Sequence, residues 1–282
     1  MKIRLDLLAF LSIIVFAVFI AYAFKNFAPN TPNLSPIPTP LPTNTPTPTP
    51  LPTPTPVPLV GYCLKVPVLL YHHVQPQQQA VEKKQTSMSV DNEMFDKQME
   101  YLVTQGYSFL TAKELVEALK NKSPLPTKSI VLTFDDGYRD NFEYAFPIIK
   151  KYNIKTNFMI ATGLLEGADY MSWNNLDEMS ASGLVYWANH TWSHYNIASG
   201  NTEKIKYEVA TGKEQLQSRF GQEVNIFTYP YGLFGSHSIQ ILTEMGIIGA
   251  FSTIPGHWQC DSFIMALHRN RVGNSSMSSY GL

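Results

Sequence analysis

The chain has 282 residues and a formal net charge of −1. That length accommodates one large domain together with additional segments. A charge so close to zero gives no electrostatic basis for binding nucleic acid or an anionic membrane surface, so we expect no nucleic-acid partner. The two cysteines, Cys63 and Cys260, supply neither a disulfide framework nor a cysteine zinc site. One bridge between them and two free thiols are both open alternatives.

The N-terminal segment is apolar over residues 5–24, with a single aspartate in the run and two basic residues before it. A run of this length can cross a bilayer as one helix, and the preceding basic residues predict that the rest of the chain is exported. The sequence Ala-Tyr-Ala at residues 21–23 also resembles a cleavage site. We therefore expect residues 1–27 to be either a retained membrane anchor or a cleaved signal peptide.

A proline- and threonine-rich segment follows at residues 28–58. Such a composition cannot build a core, and proline lacks the backbone donor that regular structure needs. It predicts an extended linker that separates residues 59–282, the predicted catalytic domain, from the N-terminal segment. The arrangement indicates an extracytoplasmic protein, membrane-anchored or secreted, that works at the cell envelope.

Apolar runs alternate with amphipathic segments through the catalytic domain. Strands are predicted at residues 66–71, 129–134, 156–161, 184–189, 226–229, 247–252 and 264–272. Helices are predicted at residues 92–105, 140–152, 174–182, 203–220 and 236–245, and another begins after a capping box of Thr111 and Glu114. Pro147 predicts a kink or a late start in the second of these helices. Regular alternation favours parallel strands with right-handed crossovers.

Polar side chains recur directly after the predicted strands. His72, Asp135, His190 and Tyr231 all occupy such positions. In parallel α/β folds the active site lies at the carboxyl ends of the strands. We therefore expect these four residues to meet at one mouth of the fold, although they are far apart in the sequence.

Asp135 and Asp136 are neighbouring carboxylates at the end of a buried strand. Two carboxylates in such a place are unfavourable unless a positive charge compensates them, and a divalent cation would do so. Because adjacent side chains of a strand point in different directions, Asp136 can bind a metal while Asp135 faces the reacting group. An Asp-Asp-Gly turn without any site is the alternative.

His190 and His194 are separated by three residues, a spacing that places two imidazoles on one face of a helical turn. Taken alone, the pair could also be an ordinary surface or core pair. Together with Asp136 the two histidines form a nitrogen and oxygen ligand set suited to zinc. Three protein ligands leave a coordination position for water.

The same pattern assigns the other catalytic roles. Asp135 is the predicted general base. The backbone N–H of Tyr231 is the predicted donor to the oxyanion, and His268 is the predicted general acid that protonates the leaving amine.

Three ordered motifs, residues 133–138 (TFDDGY), His190-x-x-x-His194 and residues 229–232 (YPYG), resemble the polysaccharide deacetylases of carbohydrate esterase family four, which contain the NodB homology domain. Residues 69–74 (LLYHHV) are similar to the branch that includes poly-N-acetylglucosamine deacetylases and related envelope enzymes.

This resemblance implies an α/β fold, a distorted (β/α) barrel of about seven parallel strands. It also implies one divalent metal ion, usually Zn²⁺ with Co²⁺ or Ni²⁺ as substitutes. The implied metal ligands are Asp136, His190 and His194, with Asp135 as the base and the Tyr231 backbone as the oxyanion donor. Pro230, Trp192 and His72 join Tyr231 as candidate substrate-binding residues.

The chain departs from the family pattern at Thr228, where many members have an arginine that orients the catalytic aspartate. The partner of Asp135 is therefore open. The family's fourth motif is not evident, and the fifth is only suggested by Leu267-His268.

The predicted function is metal-dependent hydrolysis of N-acetyl groups from an extracytoplasmic N-acetylhexosamine polysaccharide by a monomeric enzyme. Peptidoglycan, poly-N-acetylglucosamine and chitin-like polymers are the candidate substrates. Alternatives are an acetyl ester deacetylase acting on a xylan-like polymer and an inactive wall-binding module. A glycosidase that uses Asp135 and Asp136 is disfavoured, because adjacent residues cannot readily hold carboxyl groups on opposite sides of a scissile bond.

Overall fold

The computed structural model describes residues 59–282. The predicted anchor or signal peptide at 1–27 and the predicted linker at 28–58 lie outside the described residues. Within residues 59–282, none of the helices is both long enough and apolar enough to cross a membrane.

Twelve short strands occur within residues 59–282. They are β1 (Cys63–Lys65), β2 (Val68–Tyr71), β3 (His73–Val74), β4 (Ser89–Val90), β5 (Ser108–Leu110), β6 (Ser129–Asp136), β7 (Thr156–Ile160), β8 (Val185–Asn189), β9 (Ile226–Thr228), β10 (Gly249–Phe251), β11 (Trp258–Cys260) and β12 (Asn270–Arg271). The α-helices in the same range are α1 (Gln77–Glu82), α2 (Asn92–Thr104), α3 (Ala112–Asn121), α4 (Phe146–Tyr152), α5 (Trp173–Ala181), α6 (Thr202–Phe220) and α7 (Ser236–Glu244).

The central sheet has the strand order β10-β9-β8-β7-β6-β2-β12, and β5 pairs with the first residues of β6. Every pairing in this sheet is parallel. Helices connect most of the successive strands, as the predicted alternation requires. The seven-strand path agrees with the predicted distorted (β/α) barrel.

The last segment of the chain joins the two edges of the sheet. Leu267 forms a parallel bridge with Phe251 of β10. Four residues later, Arg271 pairs in register with Leu70 of β2. A single stretch of backbone therefore completes the barrel, and Arg269 lies between its two pairings.

Apolar residues fill the barrel and also cover its outside. Val68, Val131, Ala188 and Leu267 belong to one buried cluster, which also takes in residues of α3. Their neighbours in the strands contribute to the outer clusters that pack under the helices, for example Leu132 and Phe134 in β6. Because side chains of a strand alternate between faces, these clusters define the inner and outer faces of each strand.

Two local features predicted from the sequence occur in the structure: a capping box and a late helix start at a proline. Thr111 and Glu114 form the predicted capping box at the start of α3, and the Thr111 N–H donates to Oε2 of Glu114 over 2.6 Å. The segment predicted as a helix at 140–152 begins as a π-helical turn, Asn141–Ala145, before α4 starts at Phe146. Pro147 lies in the first turn of α4, where its missing N–H costs no hydrogen bond.

Cys63 and Cys260 form a disulfide, which settles the alternative left open by the sequence. They face each other in the antiparallel pairing of β1 and β11, with a Cα–Cα distance of 4.1 Å. Their separation of 197 residues means that the bridge connects the beginning of the described region to the part that precedes β12.

Candidate active site

The candidate site lies at the carboxyl ends of the barrel strands, on the inner face. Side-chain alternation places His72 in phase with Val68 of β2, Asp135 with Val131 of β6, and His190 with Ala188 of β8. On the inner face, each of these strands therefore carries apolar residues along its length and a polar residue at its carboxyl end, where the barrel opens. The sequence expectation that these residues meet at one mouth agrees with their positions.

Asp136, His190 and His194 come together as a possible ligand set. Their donor atoms all lie within 4.8 Å of one another. The Nε2 atoms of His190 and His194 are 3.2 and 3.3 Å from Oδ1 of Asp136. Asp136 and His190 are almost fully buried, and His194 is partly exposed.

The hydrogen bonding of this cluster fits a metal ion. His190 Nδ1 lies 2.8 Å from the carbonyl oxygen of Thr228, so this nitrogen carries the proton in the neutral ring. Its Nε2 then directs a lone pair toward Asp136 Oδ1, an oxygen that is buried and has no hydrogen-bond partner. Two lone pairs that face each other need a cation or a proton between them. The carbonyl that orients His190 is typical of a metal-bound histidine.

The backbone bends sharply where these ligands are attached. Asp136, Thr191, His194 and Tyr231 all have φ between 59° and 73°, a region that side chains other than glycine rarely adopt. The expectation of a helical turn for His190 and His194 is wrong: residues 190–194 form an irregular loop. The left-handed residues redirect the chain so that both imidazoles turn to Asp136. Backbone strain of this kind is concentrated at functional sites.

Buried hydrogen bonds from α6 hold the 190–194 loop. Glu208, which is fully buried, accepts hydrogen bonds from the N–H and the hydroxyl of Ser193, both over 2.8 Å. Asn189 accepts from the N–H of Thr191 and donates to the carbonyl of Val209. The position of His194 therefore depends on buried contacts with α6 as well as on its neighbours Asp136 and His190.

Asp135 is held by Arg269 in a two-pronged ion pair. Nη1 of Arg269 donates to Oδ1 over 2.7 Å and Nη2 donates to Oδ2 over 2.8 Å. The guanidinium also donates to the Ser252 carbonyl and the Thr133 hydroxyl, and it is fully buried. Arg269 is thus the partner of Asp135 that sequence reasoning did not identify.

Positive charge around Asp135 determines its ionisation. Burial raises the pKa of the Asp135 carboxyl, but the Arg269 guanidinium, together with the imidazoles of His190 and His72, lowers it by more, so that the pKa lies below its ordinary value. Asp135 is therefore ionised at neutral pH and can accept a proton. The direction of this shift fits the base role that the sequence predicts for it.

His72 lines the same cavity, and its carbonyl accepts a hydrogen bond from the side chain of Asn141. Burial lowers the pKa of its imidazole to about 4, while the negative charges of Asp135 and Asp136 act in the opposite direction. The side chain is consequently a neutral imidazole in the free protein at neutral pH.

The general-acid assignment for His268 does not fit its position. His268 lies one residue out of phase with Leu267 and Arg269, so alternation turns its ring away from the inner face. The ring stacks on Phe263 with centroids 4.5 Å apart and does not line the cavity. We therefore withdraw it as a candidate acid.

The cavity has a volume of about 500 Å³ and contains most of the predicted site. Its walls are Asp135, Asp136, His72, His190, His194, Met88, Tyr138, Leu164, Tyr170, Tyr229, Tyr231, Gly232, Thr253 and Arg271. Trp192 and Pro230, predicted to bind substrate, are not among the lining residues. Trp192 packs against Tyr207 instead, with ring centroids 5.8 Å apart.

Tyrosines form one side of this cavity. Tyr138 stacks between His73 and Tyr170, at centroid distances of 3.7 and 5.2 Å. Burial and the charge of Asp136 raise the pKa of Tyr138, which keeps its hydroxyl protonated as a donor. The exposed ring of Tyr231 packs edge-on against His194. Flat apolar surfaces with hydroxyl groups suit a sugar ring.

Arg269 and Arg271 lie outside the motif positions of the family resemblance, so sequence reasoning missed both. The signal was the alternation in Leu267-His268-Arg269-Asn270-Arg271 on the last predicted strand. With Leu267 facing inward, both arginines fall on the inner face.

The comparisons with known proteins agree with this geometry. Residues 122–250 match the family model described as polysaccharide deacetylase. Poly-beta-1,6-N-acetyl-D-glucosamine N-deacetylase of Staphylococcus aureus is 30% identical over 183 residues, which are 60% of this chain and 63% of that protein. Bacillus subtilis YxkH, named as a candidate polysaccharide deacetylase, is 28% identical over 77% of this chain and 75% of its own length.

Solved structures extend the match to the fold. The Streptococcus pyogenes deacetylase PplD, in complex with acetate, has a TM-score of 0.70 and 26% identity over 74% of this chain and 92% of its own. IcaB from Ammonifex degensii has a TM-score of 0.66 and 26% identity, and the match covers 77% of this chain and 94% of that one. Residues 122–250 therefore match the polysaccharide deacetylase family, and the described domain has the fold of solved deacetylases.

Proposed function

We propose that this protein hydrolyses N-acetyl groups on an extracytoplasmic N-acetylhexosamine polysaccharide and releases acetate and a free amine. The observation that carries the proposal is the pair of neighbouring carboxylates with separate partners. Asp135 is bound by Arg269, while Asp136 faces two imidazoles. One carboxylate is thereby prepared as a base and the other as a ligand. The S. aureus relative, named as an N-deacetylase, supports an amide substrate.

The metal site of this proposal consists of Asp136, His190 and His194, and the nitrogen-rich ligand set favours Zn²⁺, with Co²⁺ or Ni²⁺ as substitutes. When bound, the ion supplies Lewis acidity to water and to the acetamide carbonyl. Asp136 and the imidazoles must lose any proton they share for the ion to bind.

The protein groups divide the proton transfers between them. Asp135 accepts a proton from the attacking water as the new carbon–oxygen bond forms. The backbone N–H of Tyr231, beside His194 in the cavity wall, donates to the carbonyl oxygen as negative charge develops there. The carbon–nitrogen bond then breaks, and the leaving nitrogen takes up a proton.

We propose that His72 donates the proton that the leaving nitrogen takes up. Among the residues that line the cavity, His72 is the histidine that does not belong to the ligand set. Its ring is neutral in the free protein, so the proton that Asp135 accepts from the attacking water must pass to His72 before the carbon–nitrogen bond breaks. The nearby charges of Asp135 and Asp136 favour its protonation. Protonation of the amine completes the release of acetate.

The test is acetate release from N-acetylglucosamine oligomers and from peptidoglycan by the purified protein. Free amine is measured in the same samples, because an ester deacetylase would release acetate without it. Exhaustive chelation should abolish the reaction, and stoichiometric zinc should restore it. Full activity after chelation would contradict the metal site, and failure to release acetate from any N-acetylated polymer would contradict the function.

A further inference from the structure

The rim of the cavity contains a guanidinium that the reaction does not use. Arg271 lies on β12, two residues after Arg269, and pairs in register with Leu70, so its side chain lies on the same inner face, one step closer to the mouth. It lines the cavity and is exposed to solvent. It is therefore placed where the part of a substrate next to the reacting group would lie.

The other arginines of residues 59–282 all have partners. Arg269 binds Asp135, Arg219 binds Asp177 through two hydrogen bonds, and Arg139 donates to the carbonyls of Tyr170 and Gly167. Within the described residues, the guanidinium of Arg271 has neither a hydrogen bond to protein nor an ion pair. Because the backbone of Arg271 is held in β12, its guanidinium stays within reach of the cavity, unlike a charge elsewhere on the surface.

The charge balance of the cavity leaves no internal partner for Arg271. The acidic groups among the lining residues are Asp135 and Asp136. The first is neutralised by Arg269, and the second faces the two imidazoles. The other lining residues at the rim, Tyr231 and Thr253, are uncharged. A positive charge is thus available to an incoming anion.

Resting on the proposed function, we infer that Arg271 selects N-acetylhexosamine polymers with a carboxylate next to the acetamido group. A guanidinium binds a carboxylate through two parallel hydrogen bonds, which fixes the orientation of the sugar as well as its affinity. Two sources supply this chemistry: the free lactyl carboxylate of N-acetylmuramic acid that carries no peptide, and the carboxylate of a neighbouring uronic acid. A neutral N-acetylglucosamine polymer has no partner for Arg271.

The experiment compares kcat/KM on oligomers of equal length. The substrates are neutral N-acetylglucosamine oligomers, oligomers that alternate with N-acetylmuramic acid, the methyl ester of the latter, and oligomers that alternate with glucuronic acid. We expect the zinc-loaded protein to prefer one of the two carboxylate-bearing substrates over the neutral oligomer about tenfold, as one charge-assisted contact would give. The methyl ester should behave as the neutral oligomer does.

Substitutions of Arg271 test whether this residue causes the preference for carboxylate-bearing oligomers. Arg271→Gln should abolish it and leave the neutral substrate within about twofold, whereas Arg271→Lys should retain part of it. Lys97→Gln removes one charge from the exposed side of α2, outside the cavity, and should change nothing. The preference should also decline with added salt.

Two results would overturn the inference while leaving the proposed function intact. One is equal kcat/KM for the neutral and carboxylate-bearing oligomers. The other is an Arg271→Gln variant that slows all substrates by the same factor. Failure to release acetate from every oligomer would instead refute the proposed function. The muramate and glucuronate arms show which carboxylate the site accepts.

Discussion

The two ends of the barrel's inner face differ in chemistry although the same strands form them. At the lower end, Val68, Val131 and Ala188 form an apolar core with residues of α3. One or two alternations further along, the same strands present His72, Asp135 and His190. The residues of the lower end can be exchanged for other apolar residues of similar volume, whereas Asp135 and His190 at the mouth each have a specific hydrogen-bond partner. Stability and chemistry are thus separated along a single surface.

The largest expected effect at the mouth comes from Asp135→Asn. The amide keeps the shape but cannot accept the proton, so we expect kcat to fall by about 10²–10⁴-fold. Metal content should stay near one ion per chain, since Asp136 and the imidazoles are unchanged. Steady-state rates and elemental analysis measure the two quantities. Near-normal turnover would rule out Asp135 as the base.

His72 and His268 provide a second test. His72 lines the cavity and is expected to take part in the reaction, whereas His268 lies outside the cavity and is not. His72→Gln should lower kcat by about 10²-fold if its proton is needed by the leaving amine. His268→Gln, which changes a ring outside the cavity, should keep both the rate and the pH profile of the unchanged protein. Activated ester substrates, whose leaving group needs no proton, should restore the His72 variant. If His268→Gln were the slower variant, the assignment would be reversed.

Arg269→Met tests the buried ion pair between Arg269 and Asp135. A buried carboxylate without its partner is destabilising by about 3–5 kcal/mol, which urea unfolding measures. Because the guanidinium lowers the pKa of Asp135, its removal lets burial raise that pKa. The base must be ionised, so the acid limb of kcat/KM should move to higher pH.

A matched change at the lower end sharpens the comparison. Leu115→Ala, on α3, creates a cavity in the apolar interior and should cost about 2–5 kcal/mol of stability. Its acid limb should stay where it is in the unchanged protein. An equal pH shift in both variants would mean that general loosening, and not the lost charge, causes the effect.

The smallest effect is expected from Glu208→Gln. The variant loses the charged acceptor of both Ser193 hydrogen bonds, so the loop with His194 is held less firmly. We expect zinc affinity to fall by about tenfold, a change usual for supporting residues of metal sites. Lys204→Gln, which removes only the partly exposed cation of the same cluster, is the control. Unchanged zinc affinity in competition with a chelator would contradict the role.

Much of this architecture follows from sequence periodicity. The apolar runs are long enough to locate the strands, and the position of Asp135 directly after one of them places it at the mouth. The loop at 190–194 could not be predicted in the same way, because its shape depends on left-handed residues and on contacts with α6, which is distant in sequence. Arg269 was missed for a similar reason. Its partner is 134 residues away, and only closure of the barrel brings the two together.

The disulfide determines where mechanical tension enters the domain. Any pull on the chain before residue 59 first reaches β1, and Cys63 passes it to Cys260 on β11. The force is thereby shared between two covalently joined strands instead of peeling β1 away from its neighbour. The barrel sheet, which contains neither strand, is spared this direct strain. A domain held by its leading end can in this way be dragged without distorting the geometry of its mouth.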